Sequence, residues 1–317
     1  MKIGFYNDYR PCLVKEDGVV DITAQTGELP GGSAQLWLER LIENWDTLRP
    51  NLEQAAREGT TIPLDQVQLR APLPRPGKVI NGRTNFMEGV PIDPPRPLQT
   101  FFKSPDAVIG PGETIVLPKF RPTIFNHEAE LCAVIGKVAK EVSVEEAMDH
   151  VFGYACGVDV SARAPESGEL GLSGEYGKSF DTFLPLGPAI TTRDEVLNPN
   201  DLRVRYWVNG VLRQDYRTED MEHSVAYVVA TLSHNMTLKP GDVIMCGTNH
   251  AGLGPLQDGD VGEIEIDIVG RMSNPVRDDL KRKWNPEQVR HASEMQARRE
   301  SLKGTPNPGT WPFSPRS

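Results

Sequence analysis

Three acidic residues stand where their side chains could hold a metal ion. Glu128 and Glu130 are two positions apart, and Asp159 lies within a later apolar run. In a β-strand, side chains two positions apart point to the same side, so both glutamates share one face. Carboxylates that converge from neighbouring strands suit Mg²⁺ or Mn²⁺ and leave positions for water and substrate. The glutamate pair by itself is also typical of a solvated strand face.

The residues around these acids predict the elements that position them. From 128 to 135, Glu128, Glu130 and two further residues alternate with apolar ones, which predicts a strand with one apolar face. A charge within the apolar run around Asp159 would be costly unless it were paired or bound to a metal. Between the two runs, Ser143 and Glu146 form a capping-box pattern and predict a short helix ending near Val151.

Further motifs accompany the acidic strand in a definite order. They are Phe101-Phe102-Lys103-Ser104-Pro105, Asp159-Val160-Ser161-Ala162-Arg163, Gly177-Lys178-Ser179-Phe180, Pro240-Gly241-Asp242, Gly247-Thr248, Asp258-Gly259-Asp260 and Asn274-Pro275-Val276. This order resembles the fumarylacetoacetate hydrolase family over about residues 75 to 276. This resemblance predicts that the three carboxylates form a metal site.

The resemblance implies a small-molecule substrate, a 2-oxo acid that chelates a divalent ion through its carboxylate and its keto or enol oxygen. A divalent ion stabilises the negative charge that develops when a bond beta to the carbonyl breaks. The family pattern assigns the ion, Mg²⁺ or Mn²⁺, to Glu128, Glu130 and Asp159. Lys178 takes the position of the family's lysine, a catalytic and substrate-binding residue; a surface lysine is the alternative.

Two more residues map to substrate-binding positions. Arg163 and Thr248 correspond to residues that help to bind carboxylate or oxo groups. A structural ion pair is the alternative role for Arg163. The chain departs from the family after this arginine, because positions 164–166 read Ala-Pro-Glu where the family frequently has Asp-x-Gln. The resemblance therefore does not predict which substrate contacts positions 164–166 make.

The group that activates water is where this sequence departs most from the family. The family's hydrolases often place a histidine and a glutamate on a mobile loop over the site, here Asn81 to Leu98. All six histidines lie at position 127 or later. Glu88, on the loop, and His250, shortly after Gly247-Thr248, are the catalytic candidates. A surface glutamate and an incidental loop histidine are the alternatives.

The other histidines are not predicted to be ligands. His127 is expected to be a core residue or to support the site, and His223 and His234 are expected at the surface or at a helix cap.

Repeated strands with few helices predict a mainly β fold of the α+β class. The resemblance implies a mixed β-roll catalytic domain at 71–276 behind a small N-terminal domain at 1–70, in a homodimer. Asn209-Gly210 predicts a hairpin turn, and acids alternate with isoleucines from 263 to 268 as on a solvent-facing strand. Apolar spacing predicts a helix from about Glu222 to His234. The extension at 277–317 is predicted to be helical from Gln288 to Lys303, with a disordered end.

Composition limits the possible partners and compartments. The formal charge of −10 argues against nucleic acid and anionic membranes, since either requires a basic face. No apolar run approaches a membrane span and no signal peptide is evident, so a cytoplasmic location is expected. The four cysteines lack metal-ligand spacing and are predicted to be buried free thiols.

Three functions are consistent with these observations. The first is hydrolysis of a carbon–carbon bond in an acylpyruvate or fumarylpyruvate-like acid, in the catabolism of aromatic compounds. The second is decarboxylation, isomerisation or tautomerisation of a 2-oxo dicarboxylate, which needs no activated water. The third is a non-catalytic binding protein, against which the retained carboxylates and Lys178 argue. A metal-dependent enzyme of the family is predicted, with hydrolysis ahead of the second function.

Overall fold

The computed structural model describes residues 1–27, 32–91, 93–119, 122, 124–163 and 176–302. The strands in chain order are β1 (Lys2–Tyr6), β2 (Arg10–Val14), β3 (Gly18–Asp21), β4 (Thr61–Pro63), β5 (Leu69–Arg70), β6 (Val79–Arg83), β7 (Gln99–Lys103), β8 (Val108–Ile109), β9 (Ile115–Val116), β10 (Ile124–Asn126), β11 (Ala129–Ile135), β12 (Val151–Val158), β13 (Ser161–Arg163), β14 (Leu184–Thr192), β15 (Arg203–Val208), β16 (Val211–Arg217), β17 (Val243–Met245), β18 (Val261–Ile266) and β19 (Gly270–Arg277). The helices are α1 (Thr23–Thr26), α2 (Ala34–Glu43), α3 (Trp45–Glu58), α4 (Val144–Ala147), α5 (Val225–Asn235) and α6 (Ala292–Leu302).

The largest sheet runs in the order β4-β3-β2-β1-β14-β12-β11-β17-β6-β7. Strand β11 lies at its centre between β12 and β17, antiparallel to both. Every residue of β11 is buried, so the face that carries the acids is not the solvated face of which a glutamate pair by itself is typical. Charged and polar side chains from other elements cover this face. Repeated strands and large sheets with few helices confirm the predicted fold class.

The first seventy residues contribute strands to this same sheet. Strand β1 pairs antiparallel with β14, and β2, β3 and β4 follow it outward. Helix α2 buries one face built from Trp37, Leu38, Leu41 and Ile42. The ring of Trp45, at the start of α3, contacts Phe152 edge to face at 5.0 Å. The division into a small N-terminal domain and a catalytic domain stays a prediction.

A second sheet has the order β16-β15-β18-β19-β9. The predicted hairpin at Asn209-Gly210 is confirmed, because both residues have positive φ, 52° and 75°, as a type I′ turn requires. On β18, Ile264 and Ile266 are buried, whereas Glu263 and Glu265 are half-buried and form ion pairs with Arg271. These acids were expected to face solvent, but the neighbouring arginine side chains partly cover them.

The predicted helices are present, but two of them begin later than predicted. The capping box at Ser143 and Glu146 is formed, and α5 follows an N-cap at Ser224 instead of beginning near Glu222. The C-terminal helix α6 begins at Ala292, four residues after the predicted start. Arg290 explains the difference, because its backbone is hydrogen-bonded to Gly252 and Leu253 instead of continuing the helix. The predicted helix end at Lys303 and the predicted disordered tail lie outside the described residues.

All four cysteines are buried and unpaired, which confirms that prediction. Cys132 on β11 is packed so tightly that a Cβ atom added at Gly157 on β12 would lie 2.4 Å from its Sγ. Within the described part of the chain, no helix combines the length and apolarity that a membrane crossing requires.

Candidate functional site

The three acids predicted to bind metal come together at the centre of the main sheet. Glu128 immediately precedes β11, Glu130 lies on it, and Asp159 follows β12, where its backbone N–H donates to Glu128 O at 2.8 Å. One carboxylate oxygen from each residue lies within 4.8 Å of those of the other two. All three side chains are buried. The antiparallel pairing of β11 with β12 produces this convergence.

Basic side chains contact two of the three carboxylates. Lys178 Nζ lies 2.8 Å from Glu128 Oε2 and also donates to Asp159 Oδ2 and, at 2.8 Å, to Ser161 Oγ. Arg163 donates to Glu128 Oε1 from β13, which pairs with β10. The predicted substrate-binding residues Lys178 and Arg163 are therefore brought to the carboxylates.

Lys103 is a further cation that the motif analysis did not single out. It ends β7, is completely buried, and donates from Nζ to Asp159 Oδ1 at 2.7 Å and to the Lys178 carbonyl. Burial is the largest influence on the pKa of Lys103 and holds it below its usual value. The pKa of Lys178 is raised instead, because the charges of Asp159 and Glu128 together outweigh the opposing effect of burial. A lone lysine within an apolar strand motif was the available sequence signal.

The carboxylates differ in their electrostatic surroundings. Burial acts to raise the pKa of Glu128, but Lys178 and Arg163 together outweigh it and hold that pKa well below its ordinary value. The pKa of Glu130 is raised well above its ordinary value by burial and then by the charges of Asp159 and Glu128. Among the described residues, Glu130 has no cationic partner within ion-pair distance. A divalent cation would supply the missing positive charge on this side, so the donor set fits such an ion.

Neutral groups complete the surroundings of Glu130. Gly247 N–H donates to Glu130 Oε2 at 2.7 Å, and Asn81 Nδ2 lies 3.0 Å from Asp159 Oδ2 and 3.4 Å from Glu130 Oε1. Asn81 Oδ1 is buried and has no hydrogen-bond partner among the described residues. Asn81 was predicted to begin the mobile loop, but this residue lies on β6 within the main sheet. Its register next to β17 brings its amide to the acids.

Thr248 is held in place by a buried polar network. Gln214 Nε2 lies 2.9 Å from Thr248 Oγ1, and Gln214 Oε1 lies 3.0 Å from His127 Nδ1. His127 is completely buried and stacks on Tyr206 at a centroid distance of 4.4 Å. Burial lowers the pKa of His127 to about 4, so the ring is neutral at pH 7. These contacts match the expectation of a core histidine that supports the site.

Glu88 and His250, the two candidate bases, contact each other. Glu88 Oε1 accepts a hydrogen bond from the His250 backbone N–H at 3.2 Å and is hydrogen-bonded to Nδ1 of the same residue. Their side chains are 4% and 18% exposed, so neither residue is a surface group. His250 is also close enough to Glu128 to lower the pKa of that carboxyl, after the larger effects of burial, Lys178 and Arg163.

The rest of the predicted loop packs against the segment that precedes α5. Phe86 and Val90 are buried, and Arg96 forms an ion pair with Glu222. His223 was expected at the surface or at a cap, but it is buried and its Nε2 lies 2.6 Å from the Arg96 carbonyl. The loop covers it and stacking on Tyr227 orients its ring. His234 is exposed, as expected. The departure at positions 164–166 lies outside the described residues.

Comparison with known proteins places this site in a family context. The model for the fumarylacetoacetate hydrolase C-terminal domain matches residues 81–277. Maleylpyruvate hydrolase of Aquipseudomonas alcaligenes is 33% identical over 298 residues, which cover 87% of this chain and 99% of that protein. The mitochondrial oxaloacetate tautomerase of Xenopus laevis is 39% identical over 222 residues, which cover 66% of this chain and 68% of that protein.

Solved structures agree with the sequence comparisons. The structure of maleylpyruvate hydrolase from Sphingobium sp. SYK-6 with manganese(II) and pyruvate superimposes with a TM-score of 0.79 and 37% identity, covering 88% of this chain and 99% of that one. These relatives are enzymes, and the one with manganese supports a divalent metal as cofactor. The predictions of the family and of an enzyme within it are confirmed. This chain is therefore a member of the fumarylacetoacetate hydrolase family.

Proposed function

We propose that the protein is a divalent-metal-dependent hydrolase that cleaves the carbon–carbon bond of an acylpyruvate carrying a second carboxylate, such as maleylpyruvate or fumarylpyruvate. The observation that carries the proposal is the buried contact between Glu88 and His250 beside the carboxylates. The pair supplies a general base that would activate water. In the family a loop histidine often has this role, and the loop of this chain contains none. The likeness to two maleylpyruvate hydrolases supports the substrate class and a role in the catabolism of aromatic compounds.

Glu128, Glu130 and Asp159 would hold the metal ion, either Mn²⁺ or Mg²⁺. Their donor atoms are all carboxylate oxygens, which both ions accept as ligands, and no cation of the described residues lies within ion-pair distance of Glu130. When bound, the ion acts as a Lewis acid that stabilises negative charge on a substrate oxygen. Because Lys178 contacts two of the same carboxylates, it would move toward substrate oxygen when the ion is bound.

Lys178, Arg163 and Thr248 would orient the substrate. Arg163 is about one-third exposed, so its guanidinium lies between the buried carboxylates and solvent, where a substrate carboxylate enters. An arginine can bind a carboxylate through two parallel hydrogen bonds. Thr248 is held by Gln214, which leaves its hydroxyl oriented by a buried partner. We assign these three residues to substrate binding.

The Glu88–His250 pair would activate water. An ionised Glu88 only accepts hydrogen bonds, so His250 carries its proton on Nδ1 and leaves Nε2 free to accept one. His250 takes a proton from water as the water oxygen bonds to the acyl carbonyl carbon. The carbon–carbon bond then breaks, its electron pair passes to the pyruvate carbon, and that carbon takes up the proton from His250. The products are pyruvate and a carboxylic acid.

A second candidate function is tautomerisation or isomerisation of a 2-oxo dicarboxylate, with decarboxylation as a further variant. The likeness to oxaloacetate tautomerase supports it. This chemistry moves a proton between carbon and oxygen and requires no attack by water. The same metal ligands and Lys178 would serve it, while His250 would act on a carbon-bound proton.

Isotope incorporation distinguishes these functions. The Mn²⁺-loaded or Mg²⁺-loaded protein is incubated with maleylpyruvate, fumarylpyruvate and oxaloacetate in ¹⁸O-labelled water, with a chelator control, and products are identified by mass spectrometry. Hydrolysis places one ¹⁸O atom in the dicarboxylic acid that is released together with pyruvate. Interconversion of tautomers or release of carbon dioxide without that labelled acid would contradict hydrolysis and support the second function.

A homodimer and a cytoplasmic location are also part of the proposal. The family resemblance supports the homodimer, and the composition of the chain supports the location.

A further inference from the structure

Asp220 links the two segments that carry the Glu88–His250 pair. It ends a short turn of helix at Thr218–Asp220, between β16 and α5, and it is not one of the predicted site residues. Its Oδ2 accepts from the Glu88 backbone N–H at 2.9 Å, and its Oδ1 accepts from Gly89 N–H at 3.1 Å. The carbonyl of the same residue accepts from Met87 N–H at 2.8 Å.

The loop segment bound by Asp220 has a backbone conformation that needs support. Glu88 and Gly89 both lie in the left-handed region, with φ of 56° and 77°. For a residue with a side chain this conformation is sterically costly. The two N–H groups point at one carboxylate, which compensates that cost and fixes where the Glu88 side chain leaves the backbone.

The same carboxylate also binds the segment that carries His250. Asn249 Nδ2 donates to Asp220 Oδ2 at 2.8 Å, and Asn249 Oδ1 accepts from Ala251 N–H at 2.9 Å. His250 stands between these two residues, so its backbone is held on both sides. Asp220 Oδ2 therefore contacts both the Glu88 backbone and the side chain of the residue that precedes His250.

We propose that Asp220 is a positioning residue that ties the segment 86–90 to the segment 249–251 and so aligns His250 with Glu88. The inference rests on the proposed hydrolytic function and extends it to a residue that touches neither substrate nor metal ligand. Asp220 sets Glu88 against His250 Nδ1. Without this link the histidine loses its orienting carboxylate, so activation of water depends on Asp220.

Asp220→Asn tests the proposal with little change in shape. An amide offers one acceptor oxygen in place of two, and its NH₂ group cannot accept from the backbone N–H groups of the loop. We expect kcat for acylpyruvate hydrolysis to fall about 10- to 100-fold, as misplacement of a catalytic group does. The Mn²⁺ affinity should stay within about twofold of the unchanged protein, because the three carboxylates keep their surroundings.

Hydrogen exchange supplies a readout that activity alone does not. In Asp220→Asn, amide exchange should increase together at residues 86–90 and 249–251, while the main sheet keeps its protection. Glu219→Gln is the matched control, since Glu219 is the exposed neighbour and only reaches Arg217, at 3.6 Å. The control should retain both kcat and the exchange pattern.

The outcomes separate this proposal from the proposed function. Unchanged exchange at both segments in Asp220→Asn would overturn the coupling, whatever the activity. Increased exchange with unchanged kcat would overturn the positioning role. Failure of the proposed function would appear instead as absence of ¹⁸O-labelled product from the unchanged protein, and the exchange measurement would still test the coupling.

Discussion

Glu130 differs from the other carboxylates of the site because no cation of the described chain neutralises it. Glu128 and Asp159 each contact lysine, whereas the groups of the described residues that donate to Glu130 are Gly247 N–H and the Asn81 amide. A buried carboxylate in such surroundings is costly to ionise. The proposed metal ion would supply the positive charge that this carboxylate lacks among the described residues.

The first prediction concerns this residue. Glu130→Gln should lower Mn²⁺ affinity at least 100-fold and abolish turnover, because one carboxylate ligand is lost. The free energy of unfolding without metal should change by less than about 1 kcal/mol, since a neutral amide avoids burial of a charge. Titration calorimetry and urea unfolding measure the two quantities. Glu263→Gln, on β18, is the control, and a Glu130→Gln variant that turns over normally would remove the metal assignment.

The second prediction concerns the pair of candidate bases. Glu88→Gln should reduce kcat about 10²- to 10⁴-fold, because Glu88 orients His250 and a positioned general base contributes rate enhancement of that order. Initial-rate assays with maleylpyruvate measure the loss. A Glu88→Gln variant with unchanged kcat would show that Glu88 does not orient the base.

At this scale the sequence predicts types of residue better than contacts. The alternation around Glu128 and Glu130 and the order of the motifs were enough to predict that the three acids lie close together. The contact between Glu88 and His250 joins positions 162 residues apart, and no local pattern reports such a pairing. Lys103 and Asn81 were missed because each lies in a short strand that holds other polar residues as well, and nothing local distinguishes the residue that points to the acids.

Among the elements, the loop that carries His250 depends on a close backbone approach. Gly252 has a φ of 85°, and a Cβ atom added there would lie 1.9 Å from the Arg213 carbonyl oxygen. On its other side, Gly252 N–H donates to the Arg290 carbonyl at 2.7 Å, and Arg290 N–H donates to Leu253 O at 2.9 Å. The loop is thus held between β16 and the segment that precedes α6.

The third prediction follows from this approach. Gly252→Ala should destabilise the protein by more than about 3 kcal/mol or displace the loop and lower kcat at least tenfold, since the methyl group has no room. Gly259→Ala is a matched control, because Gly259 has the same φ of 85° but nothing within 4 Å of the added atom. The control should cost only about 1 kcal/mol. Equal losses in thermal unfolding would show that the close approach is unimportant.

The fourth prediction concerns the connection between β19 and the C-terminal segment. The Asp278 carboxylate is inaccessible and accepts from Leu280 N–H at 3.0 Å and from Arg282 Nε at 2.8 Å. Burial acts to raise the pKa of Asp278, but these hydrogen bonds outweigh it and leave the pKa below the usual 3.8. A depressed folded-state pKa contributes stability above pH 3.8 that is lost as pH falls through the folded value.

Asp278→Asn should therefore cost about 1–3 kcal/mol at pH 7, and the difference from the unchanged protein should shrink below about pH 4. Urea unfolding at several pH values measures it. Asp279→Asn, the exposed neighbour, should cost less than about 0.5 kcal/mol at every pH. A loss for Asp278→Asn that is the same at pH 3 and pH 7 would contradict the assigned pKa.

Elements with strong local signals were predicted well, and those set by tertiary contacts were not. The Asn209-Gly210 turn and the Ser143 capping box follow from local chemistry alone. The start of α6 does not, because Arg290 exchanges helical hydrogen bonds for bonds to Leu253, which local propensity cannot report. The burial of both faces of β11 likewise depends on elements far away along the chain.

For the molecule as a whole, the homodimer is the fifth prediction. Light scattering after size exclusion should give a mass near twice 35.1 kDa at micromolar concentration. Mn²⁺ and chelator should leave that mass unchanged, since the three carboxylates all come from one chain. A mass of 35.1 kDa under these conditions would contradict the prediction.

Chemical modification of the buried thiols can report how often the folded chain opens. Cys132 and Cys246 lie on or beside the central strands that carry the acids, and Cys12 lies in the N-terminal strands. Burial raises the pKa of each of these thiols, so the native protein should be inert to thiol reagents at neutral pH. Each modification event then records one opening of the strands around that cysteine. Mass spectrometry of the modified peptides would time the opening of the strands that carry the acids and of the N-terminal strands separately, with no residue of the chain substituted.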